Sequence, residues 1–151
     1  MRIVEIRDLD GPNLFMMSPA IKVEIGDVPE DQQSGVIARL AETVRDLHEA
    51  AGVTVPELST MQMETPGSIV VAFAWNRRPF ARTLGARAAQ FVVGERNDRD
   101  SIVTELIEIL STPADDDTPS LIRASADRAT IVSITGTNGK TTTSRLIDFV
   151  L

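Results

Sequence analysis

The sequence predicts an α+β fold, a small and mostly antiparallel sheet with helices packed on one side. The first strand, phosphate loop and helix of an α/β nucleotide-binding domain are expected to follow it. Three observations carry this reading. Residues 1–110 run as two strand-like segments, a helix, an apolar strand and two further helices. A stretch holding two prolines and Asp115, Asp116 and Asp117 then interrupts the apolar periodicity. Beyond it, a β-branched run ends in a glycine turn and a Gly-Lys-Thr sequence.

Residues 1–7 carry Ile3, Val4 and Ile6 and read as a strand. Asp8 to Asn13 follows, and its Asp10, Gly11, Pro12 and Asn13 form a turn by composition. Residues 20–25 alternate, with Ile21, Val23 and Ile25 on one face and Lys22 and Glu24 on the other. These two strands suit pairing, with Leu14 to Met17 as an apolar loop packed against the sheet. Residues 30–51 form the clearest helix. Val36, Leu40, Val44, Leu47 and Ala51 fall on one stripe, the first turn is acidic, and Gly52 lies just past the end. His48, the one histidine of the chain, has no cysteine or second histidine to complete a zinc site and reads as structural or solvated.

Residues 53–64 read as irregular. Thr65, Pro66 and Gly67 then turn into 68–75, a nearly continuous apolar run that suits a central strand. Pro79 sits in the first turn of the next helix, whose inner face is Phe80, Leu84, Ala88 and Phe91. Gly85 and Ala89 would permit close packing there, and Gly94 ends the helix. A third helix over 98–110 buries Ile102, Val103, Leu106, Ile107 and Leu110. The expected organisation is a first domain over 1–111, a linker over 112–127 and a second domain beginning at 128. The three consecutive aspartates read as solvated linker, because neighbouring carboxylates on a loop lack a fixed coordination geometry.

The chain has 151 residues, a formal net charge of −7 and no cysteine, which excludes disulfides and cysteine metal sites. An acidic balance argues against general nucleic-acid or anionic-membrane binding. No apolar run reaches the roughly 18 residues of a membrane span, and the N-terminus lacks a signal-peptide pattern, so cytoplasm is the expected location.

Ile131, Val132 and Ile134 form the predicted strand of the second domain, and 144–151 its helix. Between them, Gly136 and Gly139 let the backbone bend tightly and leave N–H groups free to converge on phosphate oxygens. The positive end of the new helix aims at the same place. Lys140 would add a point charge on the outer phosphates, and the Thr141 hydroxyl is placed to hold Mg2+. The generic phosphate loop has a glycine five residues before Gly139; here Ile134 stands there and the glycine falls at Gly136. The plain alternative is a strand-to-helix turn without a ligand. A GTPase or phosphotransferase fits this spacing less well.

The sequence Thr-Gly-Thr-Asn-Gly-Lys-Thr-Thr-Thr over 135–143 closely resembles the ATP loop of the Mur ligase family. Those enzymes join amino acids to carboxylates through an acyl phosphate, and folylpolyglutamate synthases have a similar loop. The resemblance implies ATP and Mg2+ as cofactors and carboxylate and amine substrates. Gly136, Thr137, Asn138, Gly139, Lys140, Thr141 and Thr142 would be the ATP-binding residues, with Thr141 on the metal. Residues 1–110 resemble the N-terminal domain of cyanophycin synthetases in three places. These are Asp10-Gly11-Pro12-Asn13 after the first strand, Thr65-Pro66-Gly67 before the apolar strand, and Gly85-Ala86-Arg87-Ala88-Ala89 on the helix. Cyanophycin synthetases build an Asp–Arg polymer and carry an ATP-grasp domain between that domain and a Mur-like one. Only a short linker intervenes here, so the resemblance implies a related ligase without the middle domain and leaves polymer synthesis open.

About eight residues follow Thr143, so the chain is expected to be truncated and, on its own, not to hydrolyse ATP. Arg77, Arg78, Arg82 and Arg87 are the candidate docking residues of the first domain. Arg78 and Arg82 are four apart and share a helix face, with Arg87 nearby. Guanidinium groups so placed can fork onto carboxylates or phosphates. The expectation is that this face docks a carboxylate-bearing substrate or peptide-like polymer; the alternative is a helix face paired with nearby acids. For the chain as a whole, the expected function is part of an ATP-dependent amide ligase. The alternative is a non-catalytic substrate-binding or oligomerisation module, with a homo-oligomer as the assembly it would form.

Overall fold

The computed structural model describes residues 1–113, and the chain divides into two units, Met1–Ser120 and Leu121–Leu151. The predicted linker beyond Pro113 and the strand, loop and helix of residues 128–151 lie outside the described residues. The elements are β1 (Arg2–Leu9), β2 (Ala20–Gly26), α1 (Gln33–Ala50), β3 (Leu58–Gln62), β4 (Ile69–Ala74), α2 (Arg78–Val93) and α3 (Arg99–Ser111). The sheet order is β1-β2-β4-β3, and every neighbouring pair is antiparallel. The α+β class with a small antiparallel sheet therefore stands for the first unit.

Pairing of Ile21 with Phe73, Val23 with Val71 and Ile25 with Ile69 aligns six apolar side chains on one face. That face meets Leu40, Val44 and Leu47 of α1, Leu84 and Ala88 of α2, and Ile102 and Leu106 of α3 in one core. On β1 the register shifts between Ile3 and Glu5, so both Ile3 and Ile6 join this core while Val4 is left exposed. An extra residue in one strand is what lets positions three apart share a face. The apolar run 68–75 is β4, an interior strand whose residues from Ile69 to Phe73 are fully buried.

Close approach of α2 to the sheet depends on Gly85. A Cβ there would lie 3.1 Å from a methyl of each of Ile21 and Val23 and 3.4 Å from the Phe73 ring. Two arginines tie the helix ends. The Arg39 guanidinium donates to the carbonyl of Val92 at the end of α2. Arg77 donates to the Ile109 and Leu110 carbonyls at 2.8 Å each and to that of Thr112. A cation on these free carbonyls satisfies acceptors and complements the negative helix end.

Several boundaries differ from expectation. Residues 53–64, read as irregular, contain β3, a polar edge strand with weak alternation whose backbone groups are satisfied by pairing with β4. β1 extends to Leu9, two residues past its predicted end. The first turn of the predicted helix at 30 is a separate 3-10 turn, Glu30–Gln32. The Asp98 carboxylate caps α3 by accepting from the Ser101 amide at 3.1 Å. Ile107, expected inside, is 45% exposed. In the loop 14–17, Phe15 and Met16 pack against Ala20, Ala72 and Ala74, whereas Leu14 and Met17 point to solvent.

Candidate anion-docking site

Antiparallel pairing on both sides of β2 makes β1 and β4 run in the same direction, and Ala20 pairs with Leu9 on one side and Ala74 on the other. The chain leaving β1 and the chain entering α2 therefore meet at one end of the sheet. The turn after β1 is held by the Asn13 carboxamide. Its Nδ2 donates to the Gly11 and Ser18 carbonyls, and its Oδ1 accepts from the amides of Phe15 and Met16. Aspartate and asparagine side chains that bond nearby amides fix turns in this way. The Trp75 amide donates to Pro19 at 3.1 Å and closes the junction.

Two arginines of the first half of α2 face two aspartates there. Arg78 Nη2 donates to Asp10 Oδ1 at 2.7 Å, and Arg82 Nη1 donates to Asp8 Oδ2 at 2.8 Å. The Arg78 guanidinium carbon also lies 4.9 Å from the centre of the Trp75 ring, within cation–π range. Each contact uses one nitrogen of a group that can offer two. Asp8 Oδ1, Arg78 Nε and Trp75 Nε1 are buried and make no hydrogen bond. Asp10 and Arg82 are well exposed, with side chains 63% and 56% accessible, so these pairs are weak by the usual measure of surface ion pairs, about 0.2–1 kcal/mol.

Arg77 and Arg87 do not join this group. Arg77 is occupied by the end of α3. Arg87 forks onto Glu105, Nε to Oε2 at 2.9 Å and Nη2 to Oε1 at 2.6 Å, and Arg96 Nη1 also donates to the same carboxylate. The Arg87 hydrogen bond holds the Glu105 carboxyl below the ordinary carboxylate range, against burial. Of the four candidate arginines, Arg78 and Arg82 converge and the other two fasten α2 to α3. The aspartate partners and the Trp75 platform were missed in the sequence. The signal was present for Asp8, since even spacing from Ile6 places it on the helix side of the strand.

A small cavity of about 70 Å3 lies nearby, lined among others by His48, Pro56, Trp75, Arg77, Phe80 and Leu110. His48 Nδ1 donates to the Val44 carbonyl at 2.7 Å, and the Phe73 and Phe80 rings meet the imidazole edge-on at 5.6 Å. Burial lowers its pKa, only partly opposed by the Val44 bond. His48 is a structural histidine, buried to 3% exposure. On the sheet face opposite α1, α2 and α3, Lys22 Nζ bridges Glu5 at 2.8 Å and Glu24 at 2.5 Å, and Glu24 also accepts from Ser68. Burial alone would lower the Lys22 pKa; the bonds to the two carboxylates outweigh it and raise it.

Among the described residues, no group of three or more acidic or histidine side chains could hold a metal ion, and no helix is long and apolar enough to cross a membrane. The predicted ATP-binding residues Gly136, Thr137, Asn138, Gly139, Lys140, Thr141 and Thr142, with Thr141 as the metal ligand, lie outside the described residues. Comparison with protein-family models and with curated proteins finds no match.

Proposed function

We propose that this chain carries the ATP loop of a Mur-type, Mg2+-dependent carboxylate–amine ligase and that its first unit docks a carboxylate-bearing substrate or peptide-like polymer. The observation that carries the reading is the sequence Thr-Gly-Thr-Asn-Gly-Lys-Thr-Thr-Thr directly behind a β-branched run. In such a loop the backbone amides and Lys140 neutralise charge that develops on the transferring phosphoryl group. The Thr141 hydroxyl would hold Mg2+, which would supply positive charge to the phosphates. Phosphorylation turns the carboxylate into an acyl phosphate, and an amine displaces phosphate to form the amide.

For the first unit, support comes from Arg78 and Arg82 on one helix face, each using a single nitrogen on its internal partner. The commitment of all four arginines to internal acceptors favours a second reading, a non-catalytic module in which they hold the fold together. Amide chemical-shift mapping with Mg-ATP separates the two. The ligase reading predicts that the Gly136, Gly139, Lys140 and Thr141 amides shift in a saturable, Mg2+-dependent way. Shifts absent from that loop at millimolar nucleotide would overturn it.

A further inference from the structure

We propose that Asp10 is a built-in competitor for the Arg78 guanidinium, which a ligand carboxylate must displace to dock. The inference rests on the docking reading above and adds its regulation. The Arg78 guanidinium carbon lies 4.9 Å from the centre of the Trp75 ring, so the cation is anchored over the indole. Only Nη2 is used by Asp10, while Nε is buried and without a hydrogen-bond partner. A carboxylate that took Nη1 and Nη2 together would make the two-pronged contact that guanidinium geometry favours over a single bond. Asp10 Oδ1 sits on one of those two donors. Its own turn is braced by the four Asn13 side-chain bonds, while its side chain is 63% exposed and free to swing into water.

The size of the effect follows from the strength of the competitor. An exposed ion pair of ordinary worth holds the closed form in roughly a one- to fivefold excess over the open form. A ligand that binds only the open form then has its apparent affinity weakened by about two- to sixfold. Asp10→Asn removes the charge and keeps the shape of the side chain, so it releases that factor.

Trp75 is the one tryptophan of the chain and touches the group that must change partner, so its fluorescence reads the event directly. The experiment titrates the full chain with a tetraglutamate peptide and compares Asp10→Asn, Arg78→Ala and Asp46→Asn. Asp46 pairs with Arg99 on α3 and provides the same charge change away from the site. The proposal predicts binding tightened about two- to sixfold in Asp10→Asn, unchanged in Asp46→Asn and lost in Arg78→Ala. Equal tightening in both asparagine variants would reduce the effect to net charge and overturn the gate. Loss in Arg78→Ala with no change in Asp10→Asn would overturn the gate and leave docking intact. Silence of wild type and Asp10→Asn alike at millimolar peptide, with native circular dichroism, would overturn docking and the gate together.

Discussion

Acidification from pH 7.5 to 5 should destabilise the first unit through one residue, His48. Its imidazole is 3% exposed, wedged edge-on between Phe73 and Phe80, with one hydrogen bond to the Val44 carbonyl. Burial lowers its pKa below the ordinary 6.5, and the Val44 bond recovers only part of that. Arg77 also lines the same cavity, with its guanidinium committed to the carbonyls at the end of α3. A depressed histidine pKa means that the unfolded chain takes up the proton first. Stability is therefore full above about 6.5, falls as pH drops below it, and levels off below the folded pKa.

A single proton sets the limiting slope at about 1.4 kcal/mol per pH unit. That slope is the ceiling on the loss between pH 6.5 and 5.0, in a domain whose whole stability is typically about 5–15 kcal/mol. Urea unfolding followed by Trp75 fluorescence measures it, with His48→Leu as the reference that removes the proton site. The difference between wild type and His48→Leu should shrink or reverse with falling pH in this window. A flat difference, or a native-state NMR titration of His48 at or above pH 6.5, would refute the reasoning.

The same unfolding assay checks four further expectations. Gly85→Val should cost about 1–3 kcal/mol, because even a Cβ meets Ile21 and Val23 at 3.1 Å; Gly85→Ala should cost less, since helix propensity offsets part of the crowding. Arg77→Ala should cost about 1.5–3 kcal/mol by freeing the carbonyls at the end of α3, and lysine should recover little because it cannot fork. Phe73→Ala in the centre of β4 should cost about 3–5 kcal/mol. Arg87 keeps the Glu105 carboxyl pKa low, so its stabilisation is present above about pH 4.5 and lost as pH falls through the folded value; Glu105→Gln should flatten that acid limb.

Much of this fold was legible because period carries so much information. The stripe of α1, the Pro79 and Gly94 limits of α2 and the unbroken apolar run of β4 each follow from burial on a fixed geometry. β3 was not legible. Leu58, Ser59, Thr60, Met61 and Gln62 offer a weak local pattern, and their strand state comes from pairing with β4, a tertiary effect that local sequence does not encode. The candidate site was half legible. Four-residue spacing put Arg78 and Arg82 together, but spacing alone could not show that Arg77 turns to the end of α3 or that Arg87 meets Glu105. Those choices depend on where α3 docks. Asp8 and Asp10 read as turn composition, although even spacing from Ile6 puts Asp8 on the helix side once β1 runs on to Leu9.

The most direct test of the ligase reading is calorimetric titration of the chain with Mg-ATP, with Lys140→Ala alongside. Formation of the phosphate loop predicts saturable, Mg2+-dependent heat with micromolar affinity in wild type, lost in the variant. Heat that is absent, or equal in both proteins, would contradict assignment of residues 136–142 as the ATP site.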